Sequence, residues 1–336
     1  MSRWRQDPNG AAAELVRRSL SSLDLQGRCL LANAGGVVLE ALRAEGLEVS
    51  AWSRRASDLG QPTPWPEGGP YDSILLRLAK SKDEQDMSVA ACLSVLREGG
   101  SLILFGGNDE GIRSGITALE AACGPAETVS TKGHGRMVRV ARPAGDIART
   151  QLADWRRTGP LEIAGTQRSW VTYPGLFASD RVDEGTALML GALPNLRAVA
   201  RVLDFGCGSG VIAAAMRARL PGAQIECLDA DTIALLAAAE NVAGAVGILG
   251  TSLKATGTTR YDAILSNPPL HAGVAEDHTA LERLIAQAPK HLRPGGILQM
   301  VVQRRLPLGQ SLEPLFSEHS VVAENGRFRV WRALAK

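Results

Sequence analysis

Three short segments of the chain occur twice, in the same order, and this internal repeat limits the folds that the chain can adopt. The repeated pairs are 28–36 (RCLLANAGG) with 201–210 (RVLDFGCGSG), 71–75 (YDSIL) with 261–265 (YDAIL), and 96–104 (LREGGSLIL) with 292–300 (LRPGGILQM). Each segment contains a short apolar run, and longer helical patterns lie between the runs, as in βαβ units. The repeat therefore predicts an α/β fold with two tandem Rossmann-like domains, each built on a mostly parallel sheet.

Chain length agrees with this division, because 336 residues at about 150 residues per domain predict two domains. Proline and glycine flank a polar stretch at 146–165, which predicts a linker with one helix. We expect one domain at 1–145 and a second domain at 166–336. The alternating tail at 321–334 predicts that an antiparallel hairpin closes the second sheet.

Composition excludes several classes of protein. The net charge is +2, from 37 basic and 35 acidic residues, so any nucleic acid must be bound by local patches. Five cysteines without a C-x-x-C pair predict free thiols in a reducing compartment and no metal site. No apolar run approaches the roughly 18 residues that cross a bilayer, and no apolar leader is visible. We therefore expect a cytoplasmic protein that binds no membrane.

A glycine-rich turn follows an apolar strand at 202–210 (VLDFGCGSG) and precedes a helix, whose free N–H groups can bind an anion. The G-x-G-x-G spacing, with Asp204 at the strand tip, differs from the G-x-G-x-x-G of dinucleotide-binding proteins, and an acid there repels pyrophosphate. S-adenosylmethionine fits better, because its ammonium group can meet Asp204 and its carboxylate can meet the helix. We predict this cofactor, bound by Asp204, Gly206, Cys207, Gly208 and Gly210.

The next predicted strand ends at Asp229, beside the glycine-rich turn. A carboxylate at the tip of the neighbouring strand can accept hydrogen bonds from both hydroxyl groups of a ribose. Asp231 lies two residues further on and competes for this role. We predict that Asp229 binds the ribose and that Asp231 caps the following helix.

A second candidate loop, 266–273 (SNPPLHAG), follows the strand predicted at 261–266. Proline cannot continue a central strand, so the chain leaves the sheet at the same edge as the glycine-rich turn. Prolines fix the backbone and leave carbonyl groups projecting rigidly. The Asn267 side-chain oxygen and the Pro268 carbonyl can accept both hydrogens of an exocyclic amine and direct its lone pair towards a methyl group. We predict a catalytic loop formed by Asn267, Pro268 and Pro269, and we count Asn267 among the cofactor-binding residues as well.

These residues resemble the motifs of class I S-adenosylmethionine-dependent methyltransferases of the N-P-P-[FYW] type. More narrowly, the chain resembles the bacterial two-domain 16S ribosomal RNA guanine-N2 methyltransferases of the small-subunit methyltransferase C kind. The segments at 174–186 and 326–332 are similar to the segment that enters the family's catalytic domain and to its closing strand. Over 1–150 the resemblance is architectural, since the family carries a degenerate methyltransferase-like N-terminal domain.

The resemblance implies transfer of a methyl group from S-adenosylmethionine to the exocyclic N2 of a guanine in 16S ribosomal RNA, free or in the small ribosomal subunit. It also implies that the residues after the prolines contact the target base; here Leu270 replaces the family's aromatic residue, and His271 follows it. The position that meets the adenine amine in the family falls at Ser252. Oligomeric state stays open.

Other functions are compatible with these motifs. A guanine in large-subunit ribosomal RNA, a protein or a small-molecule amine could be the methyl acceptor, and a ribosome-assembly RNA-binding protein is the non-enzymatic alternative. Two basic stretches are the first candidates for phosphate contacts. They comprise Lys132, Arg136, Arg139 and Arg142, and then Arg304, Arg305, Arg327, Arg329 and Arg332.

The N-terminal copy of the repeat lacks the residues that carry this chemistry. Leu31 replaces Asp204, Asn33 replaces Gly206 and Arg77 replaces Asn267. We therefore predict that this half does not bind S-adenosylmethionine and that it contacts RNA or supports the other domain. Positive charge is expected from Arg77, Lys80 and Lys82 where a ligand would otherwise approach.

Overall fold

The computed structural model describes residues 3–25, 27–177, 181–197, 200–268 and 275–336. The chain forms two compact units, 1–156 and 157–336. This division lies within the linker predicted at 146–165, while the exact extent of the two domains stays a prediction. None of the helices in the described ranges has the length and apolar content needed to cross a bilayer.

The first unit contains a six-stranded sheet in the order β2-β1-β3-β4-β6-β5. Its elements are α1 (Arg3–Gln6), α2 (Pro8–Leu23), β1 (Cys29–Ala32), α3 (Gly36–Arg43), β2 (Val49–Trp52), β3 (Tyr71–Arg77), α4 (Lys82–Val95), β4 (Leu96–Gly107), α5 (Ile112–Cys123), β5 (Glu127–Ser130) and β6 (Gly135–Ala141). The first four strands of the order are parallel, and β6 and β5 are antiparallel additions.

The second unit contains a seven-stranded sheet in the order β11-β10-β9-β12-β13-β15-β14 and a separate hairpin of β7 and β8. Its elements are β7 (Arg157–Ile163), β8 (Thr166–Thr172), α6 (Glu184–Gly191), β9 (Arg201–Phe205), α7 (Val211–Arg219), β10 (Gln224–Asp229), α8 (Thr232–Asn241), β11 (Val246–Leu249), β12 (Tyr261–Ser266), α9 (Ala275–His291), β13 (Leu292–Gln303), α10 (Gly309–Leu312), β14 (Glu318–Glu324) and β15 (Phe328–Leu334).

The two sheets share one topology. The order β2-β1-β3-β4-β6-β5 corresponds strand for strand to β10-β9-β12-β13-β15-β14, and β11 is an addition to the second sheet. Helices cover both faces of each sheet, so the central strands are mostly apolar and buried. The predicted fold class is confirmed, with two Rossmann-like units, mostly parallel sheets and a closing antiparallel pair.

The linking helix predicted within 146–165 is wrong. This stretch contains one 3-10 turn at Leu152–Trp155 and then β7, which pairs antiparallel with β8. The reason is a period-2 apolar pattern: Leu161 and Ile163 lie on one face of β7 and are buried with Trp170 of β8 in the core of the second unit.

Candidate active site

The carboxyl ends of β9, β10 and β12 lie side by side, because these three strands are neighbours in a parallel sheet. The glycine-rich turn follows β9, Asp229 ends β10, and Asn267 follows β12. Tertiary structure therefore collects the three predicted motifs at one edge of the sheet, where ligands bind in open α/β folds.

The glycine-rich turn exposes its backbone. Gly206 and Gly208 have φ angles of 70° and 52°, a conformation that side-chain-bearing residues rarely adopt. A Cβ atom at either position would meet no described atom within 4 Å, so the turn faces open space. A ligand can therefore approach the backbone closely there. Gly210 instead lies against Val242 and Ala238 of the core.

Asp204 lies beneath this turn and is only 1% exposed. Its Oδ2 accepts a hydrogen bond of 3.0 Å from the backbone N–H of Ala213 in α7. Its buried Oδ1 has no hydrogen-bond partner among the described residues. Burial raises the pKa of Asp204 to about 7, because desolvation disfavours the charged form. The site thus holds a buried acceptor that a cationic donor would satisfy.

Asp229 holds the glycine-rich turn from the neighbouring strand. Its Oδ2 accepts from the backbone N–H of Gly208 at 2.9 Å, and its Oδ1 accepts from the N–H of Asp231 at 2.9 Å. Asp231 caps α8, with its Oδ1 accepting from the N–H of Ile233 at 3.0 Å. The two acids therefore have separate tasks, and only Asp229 faces the turn.

The remaining cofactor candidates occupy different environments. Cys207 is buried in the turn, where a hydrogen bond with Cys227 and desolvation raise the pKa of its thiol; its role in cofactor binding stays a prediction. Ser252 follows β11 and precedes the 3-10 turn at Leu253–Thr256; its hydroxyl makes no capping hydrogen bond to the described residues of that turn.

Asn267 is fixed by two side chains from the start of α6. Its Nδ2 donates to Oδ2 of Asp183 at 3.2 Å and to Oγ1 of Thr186 at 2.8 Å. Within the described chain both hydrogen bonds of Asn267 use its amino group, which leaves the carbonyl oxygen for an incoming donor. Pro268 is buried. The predicted residues Pro269, Leu270 and His271 lie outside the described residues.

Sequence reasoning assigned no role to Asp183 and Thr186. The pattern D-E-G-T before an apolar run is a helix-start signal, and Asp183 does cap α6. No local signal could have revealed that the same carboxylate contacts Asn267, 84 residues further along the chain.

The expectation that Arg77 provides positive charge in the N-terminal unit is wrong. Leu76 of β3 pairs with β1 as Ser266 of β12 pairs with β9, so the next residue, Arg77, occupies the position of Asn267. However, Arg77 is only 8% exposed, and its guanidinium is paired with Glu110 at 2.6 Å. The carboxylate neutralises the cation, while Lys80 and Lys82 remain exposed.

Most side chains of the two basic stretches bind protein groups. In the first stretch, Lys132, Arg139 and Arg142 donate to backbone carbonyls of the same unit. In the second, the ion pairs are Arg304 and Arg329 with Glu324, and Arg327 with Glu184. Arg305 binds Gln303, and Arg332 binds Gln299. These contacts reduce the charge that either stretch offers to a phosphate, and a role in RNA contact stays a prediction.

Two family models match the chain. Residues 167–332 match the model described as Methyltransferase small domain, and residues 14–135 match Methyltransferase small domain N-terminal.

Solved structures also include a similar fold. The T. thermophilus 16S rRNA N2 G1207 methyltransferase, in complex with AdoMet and guanosine, superposes with a TM-score of 0.82. Its sequence is 23% identical, and the match covers 100% of this chain and 94% of that one, so it supports the fold.

Curated relatives carry the name Ribosomal RNA small subunit methyltransferase C. The protein of Pseudomonas fluorescens is 34% identical over 95% of this chain and 94% of its own length. That of Hahella chejuensis is 31% identical over 92% and 95%. These matches span both units and confirm the resemblance predicted from the motifs. The chain belongs to the ribosomal RNA small subunit methyltransferase C family.

Proposed function

We propose that this protein transfers a methyl group from S-adenosylmethionine to the exocyclic N2 of a guanine in 16S ribosomal RNA. One observation carries the proposal: the Asn267 amide is held by Asp183 and Thr186 with its amino group engaged, at the sheet edge that also holds the glycine-rich turn and Asp229. A hydrogen-bond acceptor held beside the cofactor-binding turn suits an amine substrate, because it can accept a hydrogen of the amine. Family membership supplies ribosomal RNA as the substrate.

The residues at the edge of the sheet fit S-adenosylmethionine. Gly206 and Gly208 face open space, so the cofactor can lie against the backbone of the turn. The unpartnered Oδ1 of Asp204 is a hydrogen-bond acceptor for the ammonium group, and the start of α7 would hold the carboxylate. Asp229 would bind the ribose hydroxyls and Ser252 the adenine amine. The bound sulfonium supplies an activated methyl group.

Catalysis rests mainly on positioning, because the cofactor already carries a good leaving group. The Oδ1 of Asn267 and the carbonyl of Pro268 would accept the two hydrogens of the guanine amine. This arrangement directs the nitrogen lone pair away from the ring and towards the methyl group. The target base must be unstacked, or already exposed, to reach these acceptors.

Three further assignments belong to the proposal. From the sequence, Leu270 and His271 contact the target base. The N-terminal unit acts in RNA docking or domain support rather than in cofactor binding. The enzyme works in the cytoplasm on 16S ribosomal RNA, free or within the small subunit, without a metal or a membrane.

A radiolabelled methyl-transfer assay tests the proposal. The substrates are small ribosomal subunits, naked 16S RNA, large subunits and total ribosomal proteins, with Asn267→Ala as the inactive control. We expect label in 16S RNA alone, recovered as N2-methylguanosine after digestion. Label in large-subunit RNA or in protein, or label that Asn267→Ala does not reduce, would overturn the assignment.

A further inference from the structure

We infer that Asp183 and Thr186 are positioning residues, which hold the Asn267 amide in one orientation so that its carbonyl oxygen faces the target amine. The inference rests on the proposed function of Asn267 as the acceptor for that amine. It assigns a task in the reaction to a segment at the start of the catalytic unit, through the contacts of that segment with Asn267.

The first support is the chemistry of the contacts. One oxygen of Asp183 accepts three hydrogen bonds, from the N–H of Gly185 at 2.9 Å, from the N–H of Thr186 at 3.2 Å and from Asn267 at 3.2 Å. A carboxylate oxygen is an acceptor and cannot donate a hydrogen bond. Rotation of the Asn267 amide by 180° would therefore place oxygen against oxygen. Only one of the two amide orientations is compatible with Asp183.

Asp183 selects the orientation, because a hydroxyl can donate as well as accept, and Thr186 supplies the second hydrogen bond that holds the amide. Its hydroxyl lies 2.8 Å from Nδ2 of Asn267, and the residue is buried. Both hydrogens of the Asn267 amino group thus have acceptors on α6. In the rotated amide, the amino group would point at the target instead, and a donor cannot accept the hydrogens of a guanine amine.

The second support is the rigidity of α6, which carries both acceptors. At its first turn, Glu184 is paired with Arg327 at 2.7 Å and accepts from Asn325 at 3.2 Å. Just after its last residue, the carbonyl of Ala192 accepts from Gln299 at 2.9 Å and from Arg332 at 2.8 Å. Residues of β13, β15 and the β14–β15 turn therefore contact both ends of the helix, with the more buried contacts at Ala192.

This arrangement gives a structural role to the C-terminal segment at 326–332, which has no direct part in the proposed chemistry. Arg327 and Arg332 hold α6 against the sheet, α6 presents Asp183 and Thr186, and these two orient Asn267. A side chain locked by its neighbours positions a substrate better than a free rotamer does.

Three variants separate orientation from folding. Thr186→Val removes the hydroxyl and keeps the branched shape, whereas Thr186→Ser keeps the hydroxyl and is the matched control. Asp183→Ser keeps a good helix cap but is too short to reach Asn267. Their kcat, KM for 16S RNA, cofactor affinity by calorimetry and thermal midpoint are compared with those of the full-length wild-type protein.

We expect kcat to fall about tenfold in Thr186→Val and about a hundredfold in Asp183→Ser, as for loss of a neutral and of a charged hydrogen bond. Cofactor affinity should stay within about twofold of wild type, and Thr186→Ser should retain most of the activity. Combining Thr186→Val with Asn267→Ala should lower kcat no further than Asn267→Ala alone, because the two residues act through one group.

Wild-type kcat in Thr186→Val would overturn the inference, as would an additive loss in the Thr186→Val and Asn267→Ala double variant, which would indicate a purely structural role. If Asp183→Ser does not fold, Thr186→Val alone decides the outcome. Wild-type protein that fails to methylate 16S RNA would instead overturn the proposed function, and the inference with it.

Discussion

Oδ2 of Asp204 accepts a hydrogen bond of 3.0 Å from the backbone N–H of Ala213, while its buried Oδ1 has no partner among the described residues. Oδ2 thus holds α7 against β9, and Oδ1 is available to a ligand. Burial raises the pKa of Asp204 to about 7, from an ordinary value of 3.8. Two consequences can be measured.

Cofactor binding should release a proton near pH 7. About half of the Asp204 carboxyl groups are protonated there in the free protein, and a nearby cation stabilises the ionised form. Calorimetry at pH 7 in buffers with different ionisation enthalpies should therefore show release of about half a proton, and less at pH 8, where the group is already ionised. Asp204→Asn should abolish the buffer dependence. A buffer-independent enthalpy in the wild-type protein would contradict the assignment.

The same carboxyl group should make the free protein less stable as the pH rises from about 4 to about 7. Between these values the folded protein binds more protons than the unfolded chain does, so the free energy of unfolding falls with pH. Above about pH 7 this contribution is constant. Urea unfolding of wild type and Asp204→Asn across this range measures the difference. Parallel pH profiles for the two proteins would exclude a buried, raised-pKa Asp204.

Replacing Asp229 should weaken cofactor binding. Asp229→Ala removes the acceptor that holds the N–H of Gly208 and also the proposed partner of the ribose, so we expect the affinity to fall about tenfold to a hundredfold. Calorimetry measures the change. Asp231→Ser is the matched control, since serine preserves the cap of α8 and should leave the affinity near wild type. The reverse ranking would assign the ribose contact to Asp231.

Asn267→Ala should bind the cofactor normally but lose methyl transfer by orders of magnitude. Asn267 follows β12, whereas the main residues proposed to bind the cofactor lie in or after β9, β10 and β11. Binding affinity and single-turnover transfer to 16S RNA separate the two effects. Near wild-type turnover would remove Asn267 from the catalytic machinery.

The full-length protein should bind one cofactor per chain. At the start of α3, the N–H of Gly36 already donates to Asp58 at 2.8 Å, so an internal carboxylate occupies the place of a ligand's anion. Leu31 lies in the register of Asp204, and both are paired with a leucine of the next strand. Calorimetric stoichiometry provides the measurement, and Asp58→Ala should leave the value at one. Two sites per chain would contradict the predicted loss of binding in the N-terminal unit.

The sequence by itself determined the two-unit α/β architecture and the strands and turns that form the candidate site. β12 has the bounds expected from its apolar run, β10 ends at Asp229 as predicted, and Asp231 caps α8 as predicted. These features are local, because apolar periodicity, glycine spacing and capping residues act within a few positions of the chain. The repeat extended them to the first unit, whose strand order matches that of the second.

Only the tertiary structure decided which partner each long polar side chain has. Arg77 ends β3, the counterpart of the strand that precedes Asn267, yet it is buried against Glu110, 33 residues further on. Asn267 receives its orientation from Asp183 and Thr186, more than 80 residues away in sequence. Such contacts follow from how helices are packed on the sheet, and local sequence patterns contain no record of that packing. The sequence therefore specified the position of the Asn267 amide, and the packing of α6 specified that its amino group is the part bound by Asp183 and Thr186.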